Sequence, residues 1–357
     1  MICVVCLVAA GCRFDTGAAG ATADAPDHDG TPGCDPTWYD GAWHTRQQIT
    51  IDHTKVAGDL QGYPLLIDLS LVGAQTTGAD LLFTAADGLT RLPHDLDTFD
   101  GASGHAIAWV RIPTLSSTTD TVIYIYYANP TAPSQQDAPA VWTDYAAVWH
   151  LREDPAATAP QIADSSGHAV DATSRGTMPT AAQIPGKIGG SLRFDGIDDG
   201  LDVPSTTVAA TFSYEAWIRK ATGANWRCVL DNDPSYDRWF GTTDAQLSFW
   251  DGSSNIVTSN LILDTWYQLV ATYDGTRVRI YRNGAPLGSP FTKTYTAVTN
   301  TMQIGYTSVA VGEYFPGQLD EIRISSVARS AAYIATSYRN QNAPATFATA
   351  ATAETCP

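Results

Sequence analysis

Two dipeptides, Asp274-Gly275 and Asn283-Gly284, constrain the second half of the chain more than any other feature. Each accepts the positive φ that a tight hairpin turn demands. Between them Val278 and Ile280 alternate with Arg277, Arg279 and Arg282, one face turned inward and one outward. Strands at 266–273 and 285–287 complete an antiparallel meander, and 212–219 and 318–325 alternate in the same way. The only helical candidate is the short segment 330–338, with Ser330 as its cap. The expected class is all-β.

At 357 residues the chain has room for two domains, and its 44 % apolar content is enough for real cores. A net charge of −17 argues against nucleic acid, whose phosphates reward Lys and Arg. Asp carries nearly all of the acidity; the glutamates are Glu153, Glu215, Glu313, Glu321 and Glu354. Asp favours turns, where its side chain bonds nearby amides, so the composition itself reads as many turns joining strands. From 37 to 140 short apolar runs at 47–52, 64–69, 81–84, 105–112 and 121–128 predict a first β-sandwich. In the last of these Ile123, Ile125 and Tyr127 alternate with Val122, Tyr124 and Tyr126, which suits a strand with both faces covered.

The start of the chain, 1–12, reads as a signal segment: an apolar run over 2–10, too short for a membrane span of about 20 residues. Ala9-Ala10-Gly11-Cys12 resembles a bacterial lipobox, which implies lipidation at Cys12 and a place at the outer membrane or cell surface. An ordinary cleaved signal, with a secreted or periplasmic product, is the alternative. Residues 13–36 hold almost no large apolar side chain and read as a flexible tether. Three cysteines then remain. Cys34 and Cys356 bracket the folded part, which makes a staple between them the preferred pairing; Cys228, in the run WRCVL, is expected to be a buried free thiol. Sequence alone leaves the connectivity open.

Several phrases in the first half occur in a telling order: WHTRQQITID, DLQGYPLLIDL, GADLLFTAADGLTRLPHDLDTFD, AIAWVRIPTLSSTTDTVIYIYYANP and VWTDYAAVWHL. Together they resemble the bacterial domain of unknown function 2341, a resemblance that brings no activity with it. Such domains commonly precede a laminin-G-like jelly roll. The second half carries DSSGHA, GKIGGSLRFDGIDDGLDVP, SYEAWIR, DTWYQLVATYDGTRVRIYRNG and GQLDEIRIS. Over 145–342 it resembles the concanavalin A-like, laminin-G-type superfamily, and 343–357 reads as a C-terminal tail. Two β-sandwich domains are therefore expected, the second a jelly roll.

Enzyme signatures are absent: there is no GxSxG, HExxH, P-loop or GxGxxG, and no pair of glutamates with the Glu-x-Asp-x-x-Glu spacing of glycoside hydrolases that share the jelly roll. His94, His105 and His150 are read as structural. The resemblance implies a calcium ion held by Asp164, the backbone of Gly167 and Asp320, since hard oxygens from distant segments suit that ion. Asp195, Asp198 and Asp199 form a denser acidic turn that also fits a plain hairpin connection. Sugar binding needs aromatic faces flanked by polar groups. Trp226, Tyr236, Trp239 and Trp250, interleaved with Asp231, Asn232 and Asp233, supply both and form the candidate ligand region. Trp217 and Trp266 are assigned to the core. These features lead to one expectation, a non-catalytic binder of carbohydrate or another cell-surface polymer, touching membrane only through its anchor. A structural or adhesive module for surface proteins ranks second, and a polysaccharide-active hydrolase last.

Overall fold

The computed structural model describes residues 34–222, 224–232, 236–244, 246–253 and 255–356; the lipidation expected at Cys12 lies outside the described residues. Four antiparallel sheets stack through three apolar layers. The first sheet runs in the order Ala348–Ala350, Thr45–Ile51, Thr121–Tyr127, Leu82–Ala85, Arg91–Leu92, with Glu354–Thr355 also paired to Thr45–Ile51. The second holds Leu60–Ser70, His105–Leu115 and His94–Asp100. The third is built around Pro316–Ser325, Phe212–Lys220, Trp266–Tyr273 and Arg277–Arg282. The fourth runs Asn255–Asn260, Gln246–Trp250, Trp239–Thr243, Trp226–Asp231, Val298–Ile304, Gly200–Val208, Thr173–Arg175. Both expected hairpins are present, with Gly275 and Gly284 at φ 95° and 78°.

Period-two alternation assigns each strand's side chains to a layer. Along Leu60–Ser70, Tyr63, Leu65 and Ile67 enter the core shared by the first and second sheets, while Leu66 turns the other way. Along Phe212–Lys220, Tyr214, Ala216 and Ile218 enter the core between the third and fourth sheets, while Trp217 turns back. Leu66, Trp109, Trp142, Tyr145, Val148, Ile188 and Trp217 thus form an apolar seam joining the two sandwiches. The helix Ala331–Asn342, capped by the Ser330 hydroxyl accepting from the Tyr333 N–H at 3.1 Å, packs beside it. Asn340 accepts from the Leu66 N–H at 2.8 Å and donates to the Leu66 carbonyl at 3.0 Å, occupying the free edge of the second sheet.

A polar network is buried in the same seam. Arg323 lies 4.1 Å from the Trp109 ring centroid and 4.8 Å from that of Trp142, and its guanidinium pairs with Glu321. A bulge explains why Glu321 is here at all. Glu215 faces Arg323 and Trp217 faces Asp320, so one residue on one strand opposes two on the other, and Glu321 takes φ 52°. Unbulged alternation would send Glu321 into the apolar core behind Leu319 and Ile322.

The turn 186–190 is clamped between the domains. Asp320 Oδ2 accepts from the N–H groups of Lys187 and Ile188 at 2.7 and 2.9 Å. Gly189, at φ 52°, approaches so closely that a Cβ built on it would lie 2.3 Å from Asp97 Oδ2. Gly189→Ala combines left-handed backbone with that clash and is expected to cost roughly 2 kcal/mol, read as a lower urea midpoint at unchanged slope.

Cys34 and Cys356 form a disulfide, with Cα atoms 5.2 Å apart across 322 residues of sequence; Cys228 is a buried free thiol. The tail beyond 343 returns to the first sheet, pairing Ile49 with Ala350 and Arg46 with Glu354. Loss of the bond by Cys356→Ser is expected to cost about 3 to 5 kcal/mol, because it closes a very long loop of the unfolded chain. Thermal melts of wild type with and without reductant check this.

Candidate functional site

The outer face of the fourth sheet is set by register. Phe240, Phe249 and Leu247 point into the core, so their strand neighbours point out. Trp239 pairs with Trp250, Trp226 with Thr243, and Cys228 with Gly241. The three tryptophans consequently share one surface, with Trp226 5.2 Å from Trp239 and 6.0 Å from Trp250 between ring centroids. Tyr236 adds a fourth ring 6.4 Å from Trp250. Trp239 is fully buried at the base of the group, whereas Trp226, Tyr236 and Trp250 are half-buried and present ring area to solvent. Gly241 makes this packing possible: a Cβ there would meet the Arg227 carbonyl oxygen at 2.3 Å and the Trp239 ring at 2.8 Å.

Glu313 enters the same surface from the loop before Pro316–Ser325. The Tyr236 hydroxyl donates to its two oxygens at 3.1 and 3.2 Å, and its backbone carbonyl accepts from the Cys228 N–H at 3.0 Å. Burial lifts the Glu313 carboxyl above the usual carboxylate range, against the opposing pull of Tyr236, Trp239 and Arg227. The sequence carries no motif that singles it out; it is one of five glutamates, and chain folding alone brings it beside residues some 77 positions away.

Asp231 and Asn232, also expected at the ligand surface, are fully buried. Asp231 Oδ1 accepts from the Asn232 N–H at 2.9 Å and Oδ2 from the Thr307 hydroxyl at 2.7 Å. Asn232 Nδ2 donates to Asp237 at 3.2 Å. Their place is beneath the surface, holding the loops that frame it. Asp233 lies outside the described residues.

The residues expected to share calcium serve separate segments. Asp164 Oδ1 accepts from the N–H groups of Val148 and Ser166 at 3.0 and 2.9 Å, and Oδ2 from the Ser166 hydroxyl at 2.8 Å. Gly167 sits in that turn at φ 84°, against Pro139. Asp320 bonds the 186–190 turn through Oδ2, and its Oδ1 has no hydrogen-bond partner. Neither carboxylate belongs to the groups of closely set His, Asp and Glu side chains found among the described residues. Asp195, Asp198 and Asp199 do form such a group, but Asp195 Oδ1 is taken up by amides of its own turn, those of Ile197 at 2.7 Å and Asp198 at 3.2 Å.

Comparison with known proteins follows the same division. Residues 77–168 match the family described as Domain of unknown function (DUF2341), and residues 195–335 match the Concanavalin A-like lectin/glucanases superfamily. No curated protein matches the chain. Among solved structures, it is similar to domain 4 of AbnA, a GH43 extracellular arabinanase from Geobacillus stearothermophilus, in complex with arabinotriose. Identity there is 18 %, over 55 % of this chain and 98 % of that one, at a TM-score of 0.44. It is also similar to the receptor binding domain of botulinum neurotoxin C/D mosaic serotype, at 11 % identity, 56 % and 52 % coverage and a TM-score of 0.43. The binding domain of Paraclostridial Mosquitocidal Protein 1 gives 11 %, 57 %, 52 % and 0.44. The chain spans about half the length of these two toxin domains.

Proposed function

We propose, from the premise that this chain joins a DUF2341 region to a concanavalin A-like sandwich, that it is an exported, lipid-anchored, non-catalytic receptor for a carbohydrate polymer. The observation that carries this reading is the half-exposed Trp226, Trp250 and Tyr236 group with the Glu313 carboxylate at its edge. Aromatic faces stack on the C–H faces of pyranose rings, and a carboxylate accepts from hydroxyls at the rim. The acid is already engaged by Tyr236, an arrangement suited to positioning a hydroxyl rather than to proton transfer.

The test is a glycan array and titration calorimetry with the full chain, using xylan, arabinan, laminarin and peptidoglycan fragments as probes. Saturable binding without release of reducing ends supports the proposal. Failure to bind any of these polysaccharides overturns it, and turnover of one would make the protein an enzyme.

A second reading rests on a different observation. The loop that delivers Glu313 exposes Val309 and Val311, the latter entirely, next to the same face. That apolar margin suits a protein partner, as in an adhesive module.

A further inference from the structure

We propose that Asp97, His150 and Glu321 form a divalent-metal site in the seam between the two sandwiches, with Asp95 orienting the imidazole. One ligand atom from each of the three lies within 4.8 Å of the other two, and all three side chains are buried. That spacing is what a single ion spans with ligand bonds of about 2.0 to 2.4 Å.

The imidazole is prepared for the role. Its Nε2 is 3.1 Å from Asp95 Oδ2, which also accepts the Trp142 indole N–H at 2.8 Å. A carboxylate on one ring nitrogen fixes the tautomer and raises the basicity of the other, as behind many metal-bound histidines. The other nitrogen, Nδ1, faces Glu321 Oε1 at 2.9 Å. Two lone pairs cannot confront each other at that distance, so a proton or a metal ion belongs between them.

Asp97 distinguishes these alternatives. Its Oδ1 pairs with Arg152 at 3.1 Å, while Oδ2 has no hydrogen-bond partner in a residue only 4 % exposed. A buried carboxylate oxygen without a donor is costly, and coordination satisfies it. Glu215, Asp320 and Asp95 bring further acids to the seam, where Arg152 pairs with Asp97 and Arg323 with Glu321 and Glu215.

The donor set selects the kind of ion. One imidazole and two carboxylates suit Zn²⁺ or Mn²⁺ better than Ca²⁺, which prefers oxygen alone. A cavity of about 430 Å³ is lined by Arg152 and Gly189, which both approach Asp97, and by Thr98, its neighbour in the chain. Two ligands come from one sandwich and one from the other, so the ion would lock the seam.

The test is to unfold the full chain in chelator, refold it with Zn²⁺ or with Mn²⁺, desalt it, and count metal by mass spectrometry. One ion per chain is expected, with a melting temperature several degrees above that of protein refolded in chelator. Asp97→Asn and Glu321→Gln should each abolish retention, whereas Asp195→Asn, in the exposed acidic turn, should keep it. Wild type that refolds but retains no ion, and melts identically with metal and with chelator, overturns the proposal and leaves a proton between His150 and Glu321. Equal retention by wild type and both seam variants overturns it as well. Should the variants fail to refold, the wild-type count and the Asp195→Asn control still decide.

Discussion

Arg323→Ala is expected to lower stability by about 3 to 5 kcal/mol, as much as loss of the disulfide. The side chain is 1 % exposed and its charge is committed to Glu321 at the bulge. Removing it leaves Glu321 Oε2 without its partner, on a carboxylate that already has a second acid, Asp320, beside it in the chain. It also removes a guanidinium that packs against both Trp109 and Trp142, 4.1 and 4.8 Å from their ring centroids. A packing loss therefore adds to the electrostatic one. The damage falls on the seam rather than on either sandwich core. Differential scanning calorimetry should show one coupled transition in wild type and two separated ones in the variant. A single transition at the wild-type temperature would mean that Arg323 contributes nothing to docking.

Trp226→Ala is expected to lower affinity for the proposed polysaccharide ligand at least ten-fold, equivalent to about 1.4 kcal/mol, with a smaller cost to folding. The ring is half-buried on the outer face of the fourth sheet and is supported from below by Trp239. Trp239→Ala should do the reverse in emphasis. It empties a fully buried site, costing roughly 3 kcal/mol, and weakens binding only by letting the exposed rings collapse. Calorimetric titration of both variants, beside their urea midpoints, separates the two roles. Equal affinity in wild type and Trp226→Ala would remove the aromatic face from consideration.

How much of this was legible in the sequence depends on where each residue finds its partner. Strands whose apolar side chains meet within one sandwich announce themselves. The alternation around Asn283-Gly284 and along 121–128 predicts elements observed as Arg277–Arg282 and Thr121–Tyr127. His94–Asp100 is not marked in this way, because two of its buried positions are Asp95 and Asp97, whose partners His150 and Arg152 come from beyond the first domain. The same reasoning applies to Glu321, which a bulge rotates out of its expected face, and to Glu313, which a loop delivers. Aromatic clustering between 226 and 250 was visible, and the register gathers those rings on one surface. Asp231 and Asn232 look like rim residues in sequence but lie below it, since polarity alone does not reveal which side chains bond to neighbouring loops.

The returning tail has a consequence for the order of assembly. Ala348–Ala350 is an outer strand of the first sheet and pairs with a strand some three hundred residues earlier, with Cys356 closing the ring onto Cys34. During synthesis the first sandwich therefore waits, one edge open, while the entire jelly roll is made. The jelly roll's own core is drawn from residues 146–324, so it can collapse without this delay. The expected sequence of events is that the downstream sandwich folds first and templates the seam, and the upstream one is completed last. Contacts of such long range also slow the final step.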